Sequence, residues 1–231
     1  MRYDVITLFP EIITNYCMQS ITKRGIENGI IEVKTHNPRD FSDDLKHKRV
    51  DDTPYGGGDG MVLKCQPIFD CYRNIEKCEN SEFVMLTPQG EKYNQKIAKE
   101  LSKKEQIILL CGHYEGFDER IRLGLKPREI SIGDYVLTGG ELGALVLIDS
   151  ISRNIENYLG KDNSAHVDSF SDGLDGLLEY PQYTKPREYE GMLVPEVLLN
   201  GNHKEIEIYR KEESIKRTKK RRADLLNDNC K

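Results

Sequence analysis

The chain has 231 residues, no tryptophan and a formal net charge of −5. That length suits one large domain, or one domain with a small companion, and it is enough to bury a core. No apolar run approaches the roughly 20 residues that span a bilayer, the opening Met1-Arg2-Tyr3-Asp4 lacks a signal-peptide pattern, and the acidic balance argues against indiscriminate nucleic-acid binding, so a cytoplasmic protein without a membrane partner is expected.

Residues 3–8 read as a strand and Pro10 opens a helix, where its fixed φ and missing N–H cost nothing. Residues 30–35 read as a second strand. Residues 38–60 are polar and glycine-rich and read as a long loop. A helix is expected over 67–78, a short strand over 83–86, a helix over 93–102, a buried strand over 107–110 and a brief strand over 129–132. Residues 140–157 look helical and apolar almost all round, so that helix belongs in a core or an interface. Strands alternating with helices imply an α/β fold with a mainly parallel sheet. After Leu159 the composition changes. Residues 160–176 are small, polar and glycine-bearing and read as a flexible linker. Helical patterns over 195–199, 204–214 and 216–227 then make a small helical C-terminal domain. The expected division is 1–159, 160–176 and 177–231.

Six cysteines are scattered without a C-x-x-C pair, so free thiols are expected rather than disulfides or a zinc site. Six of the seven residues from Lys216 to Arg222 are basic. Alone, such a run reads as a solvated helix face; its sharper reading is a phosphate contact that releases counterions.

Three glycine-bearing segments each follow an expected strand: residues 86–90 (LTPQG), 111–116 (CGHYEG) and 132–140 (IGDYVLTGG). Ligands of open α/β sheets bind beyond the carboxyl ends of strands, and glycines there admit close backbone approach. One such turn is ordinary; three together outline a small-molecule pocket. There is no G-x-x-x-x-G-K-[ST] and no G-x-G-x-x-G between an early strand and its helix, which excludes a P-loop and disfavours a common dinucleotide fold. The run Tyr55-Gly56-Gly57-Gly58-Asp59-Gly60 is not a phosphate loop, because its aspartate would repel the anion.

The segments PYGGGDGM (54–61), CGHYEGFDERI (111–121) and SIGDYVLTGGEL (131–142) resemble those of the bacterial tRNA (guanine-N1)-methyltransferases. So do DSF (168–170), YPQYTKP (180–186), GNHKEI (201–206) and the Arg217-Thr218, Arg221-Arg222 and Leu225-Leu226 pairs. The resemblance runs in order from Thr7-Leu8-Phe9-Pro10 almost to the end. It implies a knotted (SPOUT) methyltransferase whose sheet carries a deep trefoil knot near residues 86–140, a homodimer with its active site shared between subunits, and a tRNA partner. It implies S-adenosylmethionine contacts at Leu86, Thr87, Pro88, Gly112, Tyr114, Ile132, Gly133, Asp134, Tyr135, Val136, Leu137, Gly139 and Gly140. It allows magnesium without a dedicated site. The expected reaction is methyl transfer to N1 of the guanine 3′ to the anticodon, position 37.

The resemblance assigns the chemistry to Asp168 and Arg153, with Glu115 near the guanine or the methionine end of the cofactor. Guanine N1 is a poor nucleophile until its proton leaves, and a carboxylate accepts it. Negative charge then builds toward O6, where a guanidinium offsets it. The basic run, with Lys185 and Arg187, gains weight as an RNA contact; His203 reads first as a helix-start residue. Residues 155–160 replace a usual Pro-Gly-Val-Leu-Gly run, residues 171–180 are longer than usual, and Tyr209 and Ala223 stand where a tryptophan and a proline are common. Two other classes stay open at this point: a knotted enzyme acting on another base or a ribose, and a catalytically silent RNA-binding module.

Overall fold

The computed structural model describes residues 1–160 and 167–227. The chain divides into two compact units, residues 1–160 and 161–231.

The first unit is built on a parallel five-stranded sheet. Its strands are β1 (Arg2–Ile6), β2 (Glu32–His36), β5 (Ser81–Lys92), β6 (Gln106–Leu110) and β7 (Arg128–Ser131), in the order β2-β1-β6-β5-β7. β3 (Asp51–Asp52) and β4 (Val62–Leu63) form a small antiparallel pair. The helices are α1 (Pro10–Cys17), α2 (Ser20–Glu27), α3 (Cys65–Asn74), α4 (Gln95–Leu101), α5 (Glu119–Leu125) and α6 (Glu141–Ser152). The α/β class with a mainly parallel sheet is therefore as expected.

Alternation along the strands feeds two cores, because successive side chains point to opposite faces. Tyr3, Val5, Ile107 and Leu109 join residues of α1, α4 and α6 on one face. Ile6, Met85, Ile108 and Leu110 join residues of α3 and α5 on the other. α5 had no counterpart in the sequence reading: it has seven residues and a single buried side chain, Ile121, too little for a periodic signal. It is fixed locally instead, by the Asp118 carboxylate accepting from the Arg120 N–H (2.9 Å). The loop expected over 38–60 carries a 3-10 turn at Pro38–Phe41, capped by Asn37, as well as β3.

β5 runs past its expected end with a break in it. Ile130 of β7 pairs with both Leu86 and Glu91, so the residues between them leave the ladder. Pro88 lacks the N–H that a ladder needs. Gly90 lies so near β7 that a Cβ there would sit 2.4 Å from the Glu129 carbonyl carbon and the Ile130 nitrogen.

In the second unit, described by itself, one helix, α7 (His203–Arg221), replaces two expected pieces, and α8 (Asp224–Asn227) follows it. Ser214 and Thr218 bind the Leu178 backbone: Ser214 Oγ donates to its carbonyl (2.6 Å) and Thr218 Oγ1 accepts from its N–H (3.0 Å). These residues interrupt the apolar pattern in sequence, yet both are buried. A hairpin, β8 (Glu188–Tyr189) and β9 (Met192–Leu193), turns through Glu190 and Gly191, both at positive φ as a tight primed turn requires. Of the expected linker, residues 161–166 lie outside the described residues; residues 167–176 include a 3-10 turn at Asp172–Leu174.

Asp4 is buried in mid-strand and ties this architecture together. Its carboxylate accepts from Arg2 Nε (2.8 Å), His36 Nε2 (2.7 Å) and Gln106 Nε2 (2.7 Å). Burial pushes the carboxyl up, but the bonds from His36, Gln106 and Arg2 outweigh it and hold it below the usual range. A depressed folded value gives stability that is complete above the unfolded value of about 3.9 and lost as pH falls through the folded one. Asp4→Asn is expected to cost roughly 2–3 kcal/mol at neutral pH, as charge-assisted bonds are lost. Urea unfolding at stepped pH values should show the gap between variant and wild type narrowing below about pH 4; a pH-independent gap would refute the role of the charge.

Candidate ligand cavity

At the carboxyl ends of β5, β6 and β7 the first unit holds a cavity of about 380 Å³, within the usual size of small-molecule sites. The three glycine-bearing segments supply most of its wall. Leu86, Thr87 and Pro88 come from the break in β5; Gly112, Tyr114 and Glu115 follow β6; Ile132, Gly133, Tyr135, Val136, Leu137, Gly139 and Gly140 follow β7. Asp134 is absent from the wall: its exposed carboxylate pairs with Lys92 (3.2 Å).

Close backbone contact makes the cavity. The Gly140 N–H donates to the Gly112 carbonyl (2.9 Å). A Cβ on Gly140 would lie 2.7 Å from Cys111 Cα and 2.8 Å from Gly112 N, closer than real Cβ atoms come. Gly139 bridges His113 across the same junction. Glu115 is held from outside: its N–H donates to the Met61 carbonyl (2.9 Å), and a Cβ on Gly60 would strike its side chain. Gly60, the last of the glycine-rich run, therefore packs directly against Glu115.

The wall also contains Gln89, His113, Gly116, Phe117, Arg122, Ile130, Ser131, Thr138 and Gly143, which the sequence reading did not single out. His113 and Phe117 lie inside the CGHYEGF segment, so the motif carried a usable signal. Arg122 carried none. It comes from the unexpected α5, where it pairs with Glu129 (2.9 Å) and Glu119 (3.0 Å).

The other two predicted residues are not in this wall. Arg153 is exposed and caps the far end of α6. Thirteen residues of helical rise separate it from Gly140, about 20 Å. Asp168 belongs to the second unit, where its carbonyl accepts from the Ser171 N–H (3.1 Å) in the turn preceding Asp172–Leu174.

Leu142 and Val146, four residues apart on α6, are 57% and 43% exposed, and Ile12 and Tyr16 on the neighbouring α1 are 40% and 41% exposed. These form two apolar i, i+4 pairs on packed helices. In the second unit Lys219, Lys220 and Arg221 are exposed at the end of α7. Lys216 pairs with Glu213 (3.0 Å) and Arg222 with Asp224 (2.7 Å). His203 is the first residue of α7.

Cys17, Cys65, Cys71, Cys78 and Cys111 are free thiols, while Cys230 lies outside the described residues. Burial pushes the Cys17 and Cys71 thiols up to about 11 and about 12, which makes them unreactive. Among the described residues no three His, Cys, Asp or Glu side chains converge as a metal cage would need, and no helix is long and apolar enough to cross a membrane.

A family model described as tRNA (Guanine-1)-methyltransferase TrmD matches residues 1–228. A tRNA (guanine-N(1)-)-methyltransferase of Clostridioides difficile (strain 630) is 58% identical over 228 residues, 97% of each chain. Proteins of the same name from Carboxydothermus hydrogenoformans and Geobacillus kaustophilus are 53% and 51% identical, covering 98% and 99% of this chain and 87% and 92% of their own lengths.

The Gly140 contact sets a stability test. Gly140→Ala must push the backbone of residue 140 away from Cys111 and Gly112 and is expected to cost about 1–3 kcal/mol, read as a lower urea midpoint. An unchanged midpoint would mean that the junction between these loops is not close-packed.

Proposed function

Because the chain belongs to the tRNA (guanine-1)-methyltransferase family and is a methyltransferase that modifies tRNA, we propose that it moves a methyl group from S-adenosylmethionine to N1 of the guanine 3′ to the anticodon, position 37. The observation that carries the cofactor half is the convergence of the three loops on one cavity. The residues fit the group: glycines at 112, 139 and 140 let the loops close tightly on one another around the cavity, and Leu86, Ile132 and Leu137 offer apolar wall. S-adenosylmethionine supplies an electrophilic methyl on its sulfonium. Thr87, Pro88, Tyr114, Gly133, Tyr135 and Val136 complete its binding surface, and Glu115 faces the reacting end. We read the break in β5 and the Gly90 contact with β7 as belonging to a trefoil knot.

Asp168 accepts the N1 proton, and Arg153 offsets the charge that builds on O6. An aspartate is a weak base, so proton removal accompanies methyl transfer rather than preceding it. Arg153 stands about 20 Å along α6 from the cavity of its own chain, more than an arginine side chain spans. A two-fold dimer through the apolar faces of α1 and α6 brings a second copy's Arg153 and Asp168 to that cavity. Lys219, Lys220 and Arg221 take the tRNA backbone in the second unit.

Incubation with unmodified tRNA and S-adenosylmethionine should produce a reverse-transcription stop at position 37, because a methyl on N1 removes a Watson–Crick donor. A stop elsewhere, or none, defeats the assignment.

The shared site has its own test. Gly133→Val fills the cavity, since even a Cβ there would lie 2.4 Å from the Tyr135 ring. Asp168→Asn removes the base. Mixed with subunit exchange, the two dead variants should recover roughly a quarter of wild-type activity, because half the dimers are mixed and each mixed dimer has one intact site. A silent mixture, with exchange confirmed by mass spectrometry, rules the shared site out.

A further inference from the structure

Behind the cavity wall lies a carboxylate that the reaction above does not use. Glu141 opens α6 and is only 3% exposed, yet it does not line the cavity. A buried carboxylate has a reason to be there, because its desolvation must be offset by partners. One partner is Thr7, 1% exposed, at the end of β1. Thr7 Oγ1 donates to Glu141 Oε1 (2.7 Å). Thr7 Oγ1 also accepts from the Phe9 N–H (3.0 Å). A backbone N–H only donates, so this bond leaves the Thr7 hydroxyl proton for Glu141 and sets the polarity of the chain. The position of Glu141 in the first turn of α6 suits a carboxylate, because a helix N-terminus favours negative charge.

The second oxygen, Oε2, lies 3.8 Å from His113 Nε2. That is ion-pair distance and too long for a hydrogen bond. His113 does line the cavity. Its ring lies against Phe9 (centroids 4.8 Å apart) and edge-on to Tyr114 (5.6 Å). Gly139 keeps the gap between the two groups clear: a Cβ there would sit 2.4 Å from Glu141 Oε2 and 2.6 Å from His113 Nε2. The chain Phe9–Thr7–Glu141–His113 thus ties the ends of β1 and β6 to the first turn of α6.

We propose that Glu141 is a positioning residue: held by Thr7, its carboxylate faces the Nε2–H of His113 at ion-pair distance and so orients the imidazole, and with it the loop at 111–116, as a wall of the cofactor cavity. Glu141 touches no ligand and acts through His113. The carboxylate at 3.8 Å favours the tautomer with the proton on Nε2, and the contact tightens to a hydrogen bond when cofactor fills the cavity. The role in cofactor binding rests on the reading of the cavity as an S-adenosylmethionine site; the choice of tautomer does not.

Two measurements test it. Protein with ¹⁵N-labelled histidine, without cofactor, should show the His113 resonance (identified by its loss in His113→Gln) with the proton on Nε2. Thr7→Val and Glu141→Gln should shift that resonance, and Thr7→Ser should restore it. A proton on Nδ1 in the wild type, or a signal indifferent to Glu141→Gln, overturns the proposal. By calorimetry, Glu141→Gln and His113→Gln should each weaken S-adenosylmethionine binding about tenfold, the scale of one hydrogen bond. The double variant should be no weaker than either one, because both break the same link. Losses that multiply, or a Glu141→Gln affinity equal to wild type, overturn it. A wild type that binds no S-adenosylmethionine defeats the cofactor reading instead, and the histidine signal still decides the position of the proton.

Discussion

The approach of Gly140 to Cys111 and Gly112 is the contact from which the first unit's function-bearing geometry follows. Two backbone segments meet there with a hydrogen bond of 2.9 Å and no space for a Cβ. The contact sets where α6 begins. It places Gly139 and Thr138 on the cavity wall, and it presses Glu141 into the interior beside Thr7. The same logic repeats at Gly90, whose approach to β7 turns residues 87–89 out of the ladder and toward the cavity. Neither position tolerates a side chain, so the cavity is a product of main-chain packing more than of side-chain shape.

α6 then converts position into distance. It is buried along most of its length and pinned by polar groups, with Tyr3 Oη 2.9 Å from Ser152 Oγ and Tyr93 Oη 2.6 Å from Ser150 Oγ. A rigid helix with the cavity at its first turn and Arg153 after its last cannot bring the two together within one chain. The exposed pair Leu142 and Val146 gives the helix an unfilled apolar edge. A second copy, as proposed above, would satisfy distance and edge at once, so the proposed chemistry and the proposed assembly stand or fall as one.

The second unit has a different economy. α7 is strongly polar, and its two buried side chains in this stretch are Ser214 and Thr218. They take the place that apolar residues would fill elsewhere, bonding to the Leu178 backbone as a neighbouring strand would. Arg210 stacks on the ring of buried Tyr180, with 4.8 Å from guanidinium carbon to ring centroid. Holding the helix by hydrogen bonds leaves its outer face free to carry Lys219, Lys220 and Arg221 to solvent.

The sequence by itself determined what is local. Runs of apolar and β-branched residues marked the strands, and glycines after those strands marked the loops that line the cavity, because strand periodicity and turn chemistry depend on neighbours a few residues away. Motif order carried the family and pointed to Asp168 and Arg153. The tertiary structure decided what depends on residues far apart. Nothing in the sequence marks Glu141 as buried; it meets Thr7, 134 positions earlier, in the interior. Arg122 reached the cavity on a helix too short to announce itself, and Asp134, inside the most persuasive motif, was left on the surface with Lys92. α7 was continuous where its pattern broke, since Ser214 and Thr218 found backbone partners that no helical period encodes. In each case the residue's place was set by a contact with residues distant in the chain, and such contacts leave no local trace in the order of the residues.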